Sequence, residues 1–310
     1  MKYGFGVDLG GTAIKFAFFD ESGKLLEKWS LPTCTENNGT KILPDIADAV
    51  LNYLQQRSLS KEDILGIGIG VPGPVLPDGT VNRCINLGWG KVNVEKELSA
   101  LTGLPVKAGN DASVAALGEY YYGGGKDCRS MVLVTLGTGV GGGIVIDGKI
   151  LGGAHGAGGE IGHIILEPKE TVPCSCGNRG CAEQYCSATG IVRMAKKALA
   201  ATDAPSCLRD NPDFSCKDVF DAAAAGDALA QQTLEQVYAY MGQFLASVCS
   251  TIDPEMVVFG GGVSHAGQVL LDGIQRYFAL YIFHAATPIQ FVLAQLGNDA
   301  GIYGAFRQLL

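Results

Sequence analysis

The sequence predicts a duplicated α/β fold: two lobes of similar plan, each a meander joined to a mixed sheet, facing one another across a central cleft. Three observations predict it. Apolar runs ending in glycine turns recur along the chain, three such landmarks occur twice in the same order, and the spacing of the later landmarks in the two copies agrees to within one position. A length of 310 residues is also suited to about two domains.

The first landmark is an apolar run, a glycine turn and a second apolar run. One copy is Gly6-Val7-Asp8-Leu9-Gly10-Gly11-Thr12 followed by 13–19; the other is Val134-Thr135-Leu136-Gly137-Thr138-Gly139 followed by 140–146. A further turn, 20–23 or Asp147-Gly148, leads into Lys24-Leu25 or Lys149-Ile150. Both copies read as strand, turn, strand, turn, strand. The second landmark is a strand running into glycine: 67–71 before Pro72-Gly73-Pro74, and 256–259 before Gly260-Gly261-Gly262. The third is a literal match. Gly109-Asn110-Asp111-Ala112 follows the run 105–108, and Gly297-Asn298-Asp299-Ala300 follows 288–296; amphipathic helices are predicted next, over 113–122 and 301–309.

Gly70 to Gly109 is 39 positions and Phe259 to Gly297 is 38, whereas Asp8 to Gly70 is 62 and Thr135 to Phe259 is 124. The second copy therefore carries an insertion, with a cysteine cluster and helical stretches expected over 190–201 and 216–252. The smaller lobe is expected over 1–111 plus 298–310, and the larger lobe, with the insertion, over 112–297.

Glycine supplies 44 residues, about twice the ~7% of an average protein. Their bunching points to backbone turns that approach a ligand closely. A formal charge of −8 argues against nucleic acid or an anionic membrane as partner, since both select basic patches. No run reaches the ~18 apolar residues of a membrane span. The opening Met1-Lys2-Tyr3-Gly4-Phe5-Gly6 is too short and glycine-rich for the apolar core of a secretion signal. A cytoplasmic location is expected, where the ten cysteines are thiols and metal ligands rather than a disulfide framework.

Successive N–H groups in the two glycine turns are able to cradle phosphates; the alternative is a pair of ordinary tight hairpins. Asp8 closes a strand beside one turn, a place to hold Mg²⁺ directly or through water. Asp111 and Asp299 are each read as closing a strand at the start of a helix. Either is a candidate base, or an ordinary N-cap, and symmetry does not choose between them. A positioned ATP, a divalent metal and a carboxylate base are what phosphoryl transfer to a hydroxyl group needs.

Cys174-Ser175-Cys176-Gly177-Asn178-Arg179-Gly180-Cys181 places three thiols within eight residues around two glycines. Thiolates at this spacing suit tetrahedral Zn²⁺, which needs a fourth ligand. His163 and Cys186 contend for that place. The alternative is reduced cysteines that bind nothing; a redox pair is disfavoured because no Cys-x-x-Cys occurs.

Over essentially its whole length the chain resembles the ROK family of bacterial sugar kinases and sugar-responsive repressors. The likeness is carried by Asp8-Leu9-Gly10-Gly11-Thr12, Gly109-Asn110-Asp111, Leu136-Gly137-Thr138-Gly139-Val140-Gly141-Gly142-Gly143, Gly159-Glu160-Ile161-Gly162-His163, the Cys-x-Cys-Gly-x-x-Gly-Cys-x-Glu run ending at Glu183, and Gly260-Gly261-Gly262. The resemblance implies an actin/hexokinase-like (ribonuclease H-like) fold and an ATP-dependent kinase acting on the 6-hydroxyl of a hexose. It makes Asp111 the catalytic base and leaves Asp299 without that role. It puts the sugar on Asn86, Asn110, Asp111, Glu160, His163 and Glu183. ATP and Mg²⁺ fall to Asp8, Gly10, Gly11, Thr12, Gly137, Thr138, Gly139, Gly141, Gly260, Gly261 and Gly262. His163 joins Cys174, Cys176 and Cys181 on a structural Zn²⁺, with Cys186 left out. A homodimer or homotetramer is implied as well. The chemistry suits a sugar: each hydroxyl needs a donor or an acceptor, and a polar wall rejects analogues that lack one.

The run Glu183-Gln184-Tyr185-Cys186-Ser187-Ala188-Thr189-Gly190 is more similar to glucokinases than to N-acetylhexosamine kinases. Glucose is therefore the expected sugar, with fructose, mannose, allose, N-acetylmannosamine and N-acetylglucosamine as alternatives. The family's repressors carry an added N-terminal helix-turn-helix. A first strand expected from Tyr3 and an acidic chain make a sugar-sensing regulator without catalysis the second expectation. Asn86 as a loop-shaping residue and Glu160 as an exposed acid are the plain alternatives for those two. His155, His265, His284 and Gln184 have no assigned role, and Tyr120-Tyr121-Tyr122 is expected to pack a helix end.

Overall fold

The computed structural model describes all 310 residues and opens with the predicted meander. β1 (Tyr3–Leu9) pairs antiparallel with β2 (Ala13–Asp20), and β2 with β3 (Leu25–Pro32). β3 alternates half-buried and exposed residues, as befits a strand at the sheet's edge. A kinked turn, α1 (Glu36–Gly39), leads to α2 (Ile42–Gln56), which buries Ile42, Ile46, Val50 and Leu54 along one face. β4 (Ile64–Val71) runs parallel to β1 with Gly70 opposite Asp8. A ribbon of β5 (Thr80–Val81) and β6 (Val92–Asn93) precedes α3 (Val94–Thr102), which is capped by the Asn93 side chain. β7 (Val106–Asn110) is parallel to β4 and passes directly into α4 (Asp111–Tyr122). The sheet order is β3-β2-β1-β4-β7.

The second half repeats the plan. β8 (Ser130–Leu136), β9 (Val140–Ile146) and β10 (Lys149–Ile150) form a meander, followed by a long loop and by α5 (Glu183–Cys186) and α6 (Ala188–Ala200). α7 (Cys216–Ala224) and α8 (Ala228–Ile252) come next, then β11 (Met256–Gly260), α9 (Gln268–Tyr281), β12 (Gln290–Leu293) and α10 (Ala300–Arg307). Its sheet order, β10-β9-β8-β11-β12, is that of the first sheet, and β8, β11 and β12 are parallel like β1, β4 and β7. The duplication is therefore real. The register refines it: Gly260 lies opposite Thr135, so Gly260 rather than Phe259 is the counterpart of Gly70.

Two expected elements differ. The helix expected over 216–252 is two helices, because Gly226 adopts φ +93° and Asp227 caps the second through the Ala230 amide at 3.0 Å. The strand expected over 288–296 contracts to Gln290–Leu293. Ala294 makes the last ladder bond, to the Phe259 carbonyl, after which the Gln295 and Leu296 amides turn to the Glu119 carboxylate.

The chain divides into two compact units: Met1–Cys128, Gly143–Gly159 and Gln295–Leu310 form one, Arg129–Gly142 and Glu160–Ala294 the other. In the first unit, Phe5, Val7, Leu9, Ile67 and Ile69 share a buried cluster with α2. The opposite face of β1 and β4 is lined by glycine, since side chains alternate along a strand. A Cβ on Gly6 would strike the Ile302 carbonyl and one on Gly68 the Ala305 carbonyl, so these glycines form the bed of α10. Many of the glycines thus serve helix packing rather than a ligand.

α10 also crosses α4 closely. Gly118 faces the Ala300 carbonyl, and Gly304 faces the Val114 carbonyl. This reciprocal contact maps Val114 onto Ala300 and Gly118 onto Gly304, and by the same offset Asp111 onto Gly297.

Candidate active site

The first unit holds one set of the predicted site residues. In the turn between β1 and β2, the Gly10 amide donates to the Ala13 carbonyl at 3.0 Å and the Thr33 hydroxyl to the Gly10 carbonyl at 2.7 Å. Gly11 and Thr12 are exposed. Asp8, one residue from the end of β1, pairs with Lys15 at 3.1 Å, directly across the ladder. Lys15 also donates to the Asn298 carbonyl at 3.0 Å. Gly301 lets the first turn of α10 approach Asp8, since a Cβ there would sit 2.8 Å from the carboxyl carbon. Asn86 is exposed in a tight turn (Ile85–Leu87) whose flank is pinned by the Trp89 indole donating to the Gly39 carbonyl at 3.1 Å.

Asp111 is the first residue of α4, and Asn110 is its N-cap. Asn110 Oδ1 accepts the Ser113 amide at 3.0 Å, while Nδ2 donates to the Gly73 carbonyl and to Asp111 Oδ1, each at 3.1 Å. Asp111 Oδ1 also accepts the Ala112 amide at 2.8 Å. The carboxylate is thus held in one rotation beside a helix N-terminus. Asp299 has a different setting: it makes no capping bond and is paired with Lys28 at 2.6 Å. It does not close a strand, because β12 ends at Leu293. Since Asp111 maps onto Gly297, the two aspartates of the literal repeat are not equivalent.

The second unit holds the other set. Gly137-Thr138-Gly139 leaves β8 where Gly260-Gly261-Gly262 leaves β11, and the two strand ends are neighbours. Gly261, at φ +81°, rests on the Leu136 backbone where no Cβ would fit. Thr138, Gly261 and Gly262 are exposed, at the carboxyl ends of parallel strands where α/β sheets bind ligands. Gly141 lies within β9. Glu183 Oε2 accepts the Val140 amide at 3.1 Å and Oε1 accepts the Ser175 hydroxyl at 2.9 Å, which seats the first residue of α5 against the turn at Gly139. Glu160 lies 3.9 Å from His163 Nε2.

His163, Cys174, Cys176 and Cys181 bring one ligand atom each to within 4.8 Å of one another, and Cys186 is outside the group. His163 Nδ1 is 3.8 Å from Cys174 Sγ, and the Cys176 and Cys181 sulfurs are 3.7 Å apart. A tetrahedron with bonds of ~2.3 Å to sulfur and ~2.0–2.1 Å to nitrogen has edges of about 3.8 and 3.6 Å, so the group fits Zn²⁺. The chain makes the knuckle locally: the Cys174 amide donates to the Asn178 carbonyl at 2.7 Å and the Gly177 amide to the Cys174 carbonyl at 2.9 Å. Burial, and then the Cys176 and Cys174 thiols, push the Cys181 thiol up to about 12, a direction that a bound dication reverses. Burial alone pushes the Cys186 thiol up, as for an inert core cysteine.

Two anchors of this loop were not predicted. Gln184, read as having no role, accepts the Gly180 and Cys181 amides at 2.8 and 3.2 Å and donates to the Val172 carbonyl at 3.0 Å. Glu170 accepts the Thr171 and Val172 amides, the Tyr185 hydroxyl and the Arg193 guanidinium. No local pattern marks either residue, because their partners lie up to 23 positions away.

Two sheets of one topology, glycine turns at their strand ends and a Cys₃His knuckle define an actin/hexokinase-like α/β protein. Residues 4–309 match the ROK family, and the chain belongs to that family. It is 42% identical over 304 residues to the glucokinase of Halalkalibacterium halodurans, covering 96% of this chain and 92% of that protein. The ROK family glucokinase from Streptomyces griseus, solved in complex with glucose and AMPPNP, superposes with TM-score 0.76 at 34% identity, covering 99% of this chain and 98% of that one. The ROK hexokinase from Thermus thermophilus gives TM-score 0.79 at 32% identity over 98% and 96% of the two chains. No helix is long and apolar enough to cross a membrane.

Proposed function

We propose that this chain is a glucokinase that transfers the terminal phosphoryl group of ATP to the 6-hydroxyl of glucose. The likeness to the Halalkalibacterium halodurans enzyme and to the glucose- and AMPPNP-bound Streptomyces griseus enzyme supports the reading. The observation within this chain that carries it is the Asp111 carboxylate, fixed by two donors where β7 becomes α4.

In this reading Asp111 accepts the proton of the 6-hydroxyl as that oxygen bonds to phosphorus and the bond from phosphorus to the departing ADP oxygen breaks. Asn110 orients Asp111 and meets the sugar. Asn86, Glu160, His163 and Glu183 supply acceptors and donors to the remaining hydroxyls. With His163 Nδ1 turned to the cysteines, coordination there leaves Nε2–H as a donor. Zn²⁺, held by four protein ligands, is structural and keeps the loop before Glu183 in place. The turns at Gly10-Gly11-Thr12 and Gly137-Thr138-Gly139, with Gly141 and the loop Gly260-Gly261-Gly262, offer backbone N–H groups to the nucleotide phosphates. Mg²⁺, when bound, neutralises charge on the phosphates. Asp8 is the hard oxygen donor suited to it. A cytoplasmic homodimer or homotetramer completes the proposal.

Asp111→Asn keeps shape and removes the proton acceptor. Its kcat is expected to fall about 10²–10⁴-fold, with glucose affinity by calorimetry within a few-fold of the parent. Retained turnover would contradict the assignment.

A further inference from the structure

Glu119 is 1% exposed near the end of α4 and takes no part in the proposed chemistry. Its carboxylate accepts three backbone N–H groups: Gly124 at 2.8 Å and Gln295 at 3.0 Å on Oε2, and Leu296 at 2.8 Å on Oε1. A buried carboxylate persists only where such bonds replace its hydration. Here the bonds join two segments far apart in sequence: the turn that follows α4, and the stretch that ends β12 and leads into α10.

One of the same two helices opens with one acid of the proposed reaction, and the other packs on the second acid, Asp8, which lies on β1. α4 begins with Asp111. α10 begins against Asp8, where Gly301 meets the carboxylate and Lys15, the ion-pair partner of Asp8, holds the Asn298 carbonyl. Between these ends the helices touch through Gly118 and Gly304, with no room for a Cβ. Glycine contacts fix how closely the helices approach; they do not fix how one slides along the other. Glu119, the residue after Gly118, supplies that constraint by tying the approach to α10 onto α4.

We propose that Glu119 is a positioning residue for phosphoryl transfer: by pinning α10 to α4 it holds the start of α10, which packs on the Asp8 carboxylate and its partner Lys15, at a set place relative to the helix that opens with Asp111. The proposal rests on the glucokinase reading above. A shift of about 1 Å in reacting groups costs on the order of 10²-fold in rate.

Glu119→Gln tests it, because an amide nitrogen in place of either oxygen confronts at least one N–H with another donor. With glucose and ATP, kcat is expected to fall about 10–100-fold with the glucose KM within about two-fold, while the Mg²⁺ concentration for half-maximal rate rises. Deuterium uptake should quicken in peptides spanning 119–125 and 294–297 and stay unchanged in β8. Faster exchange with unaltered kcat and Mg²⁺ dependence would mean a clamp that only stabilises, and would overturn the proposal; unaltered exchange would overturn it too. Should Glu119→Gln not fold, Glu119→Asp, which keeps the charge but withdraws it, is expected to give the same pattern, and parental kinetics would be equally fatal. A parent protein that makes no glucose 6-phosphate would instead sink the glucokinase reading, with the exchange result still reporting on the clamp.

Discussion

Replacing Glu170 by glutamine removes one charge from the cysteine loop and turns an amide nitrogen toward two of the donors that the carboxylate had accepted. Four donors converge on that carboxylate: the Thr171 and Val172 amides at 2.9 and 3.0 Å, the Tyr185 hydroxyl at 2.7 Å and Arg193 at 2.9 Å, with the side chain 12% exposed. The Val172 amide first, and then the Tyr185 hydroxyl and Arg193, hold its pKa at about 2 instead of 4.5. The folded value lies below the unfolded one, so the stabilisation is complete above about pH 4.5 and is lost as pH falls through about 2. At ~1.4 kcal/mol per pH unit the gap sets a ceiling near ~3 kcal/mol, and solvent screening at a surface loop brings it to about 1–2 kcal/mol. Glu170→Gln should therefore lower Tm by roughly 1.5–3 °C. Urea unfolding of the zinc-loaded parent and variant should give a stability difference that is flat from pH 5 to 8 and shrinks below pH 4.5. Equal stability, or a gap that widens on acidification, would refute the reasoning.

The remaining predictions concern the metal and the helix bed. Cys176→Ser should be isolated with little zinc, whereas Cys186→Ser should keep one ion per chain by metal analysis; zinc-free Cys186→Ser would displace His163 as fourth ligand. Gln184→Ala frees the Gly180 and Cys181 amides and should weaken zinc about 10–100-fold in chelator competition; unchanged affinity would remove Gln184 from the knuckle. Gly68→Ala drives a Cβ into the Ala305 carbonyl and should cost about 2–3 kcal/mol in urea unfolding; parental stability would mean that α10 is not seated on that glycine.

The strand-turn-strand frames and the cysteine knuckle were legible in the sequence because both are local. The strands follow from short apolar runs bounded by glycine turns, and ligand spacing follows from chain geometry. The glycines were legible only in part. Those in Gly10-Gly11 and Gly137-Thr138-Gly139 do form exposed turns, whereas Gly6, Gly68, Gly118 and Gly304 make room for a helix backbone that is distant in sequence. The literal repeat around Asp111 and Asp299 misled for a related reason. Identical letters fall out of register once Glu119 captures the Gln295 and Leu296 amides and ends β12 early. Glu170 and Gln184 were invisible because a surface-like acid and amide declare their partners only after the loop closes.

The most direct test of the account is ADP release by the purified protein with ATP, Mg²⁺ and a panel of hexoses. Glucose should give the highest kcat/KM, with N-acetylmannosamine and N-acetylglucosamine well below it. Silence with every sugar, or a preference for an N-acetylated one, would contradict the assignment.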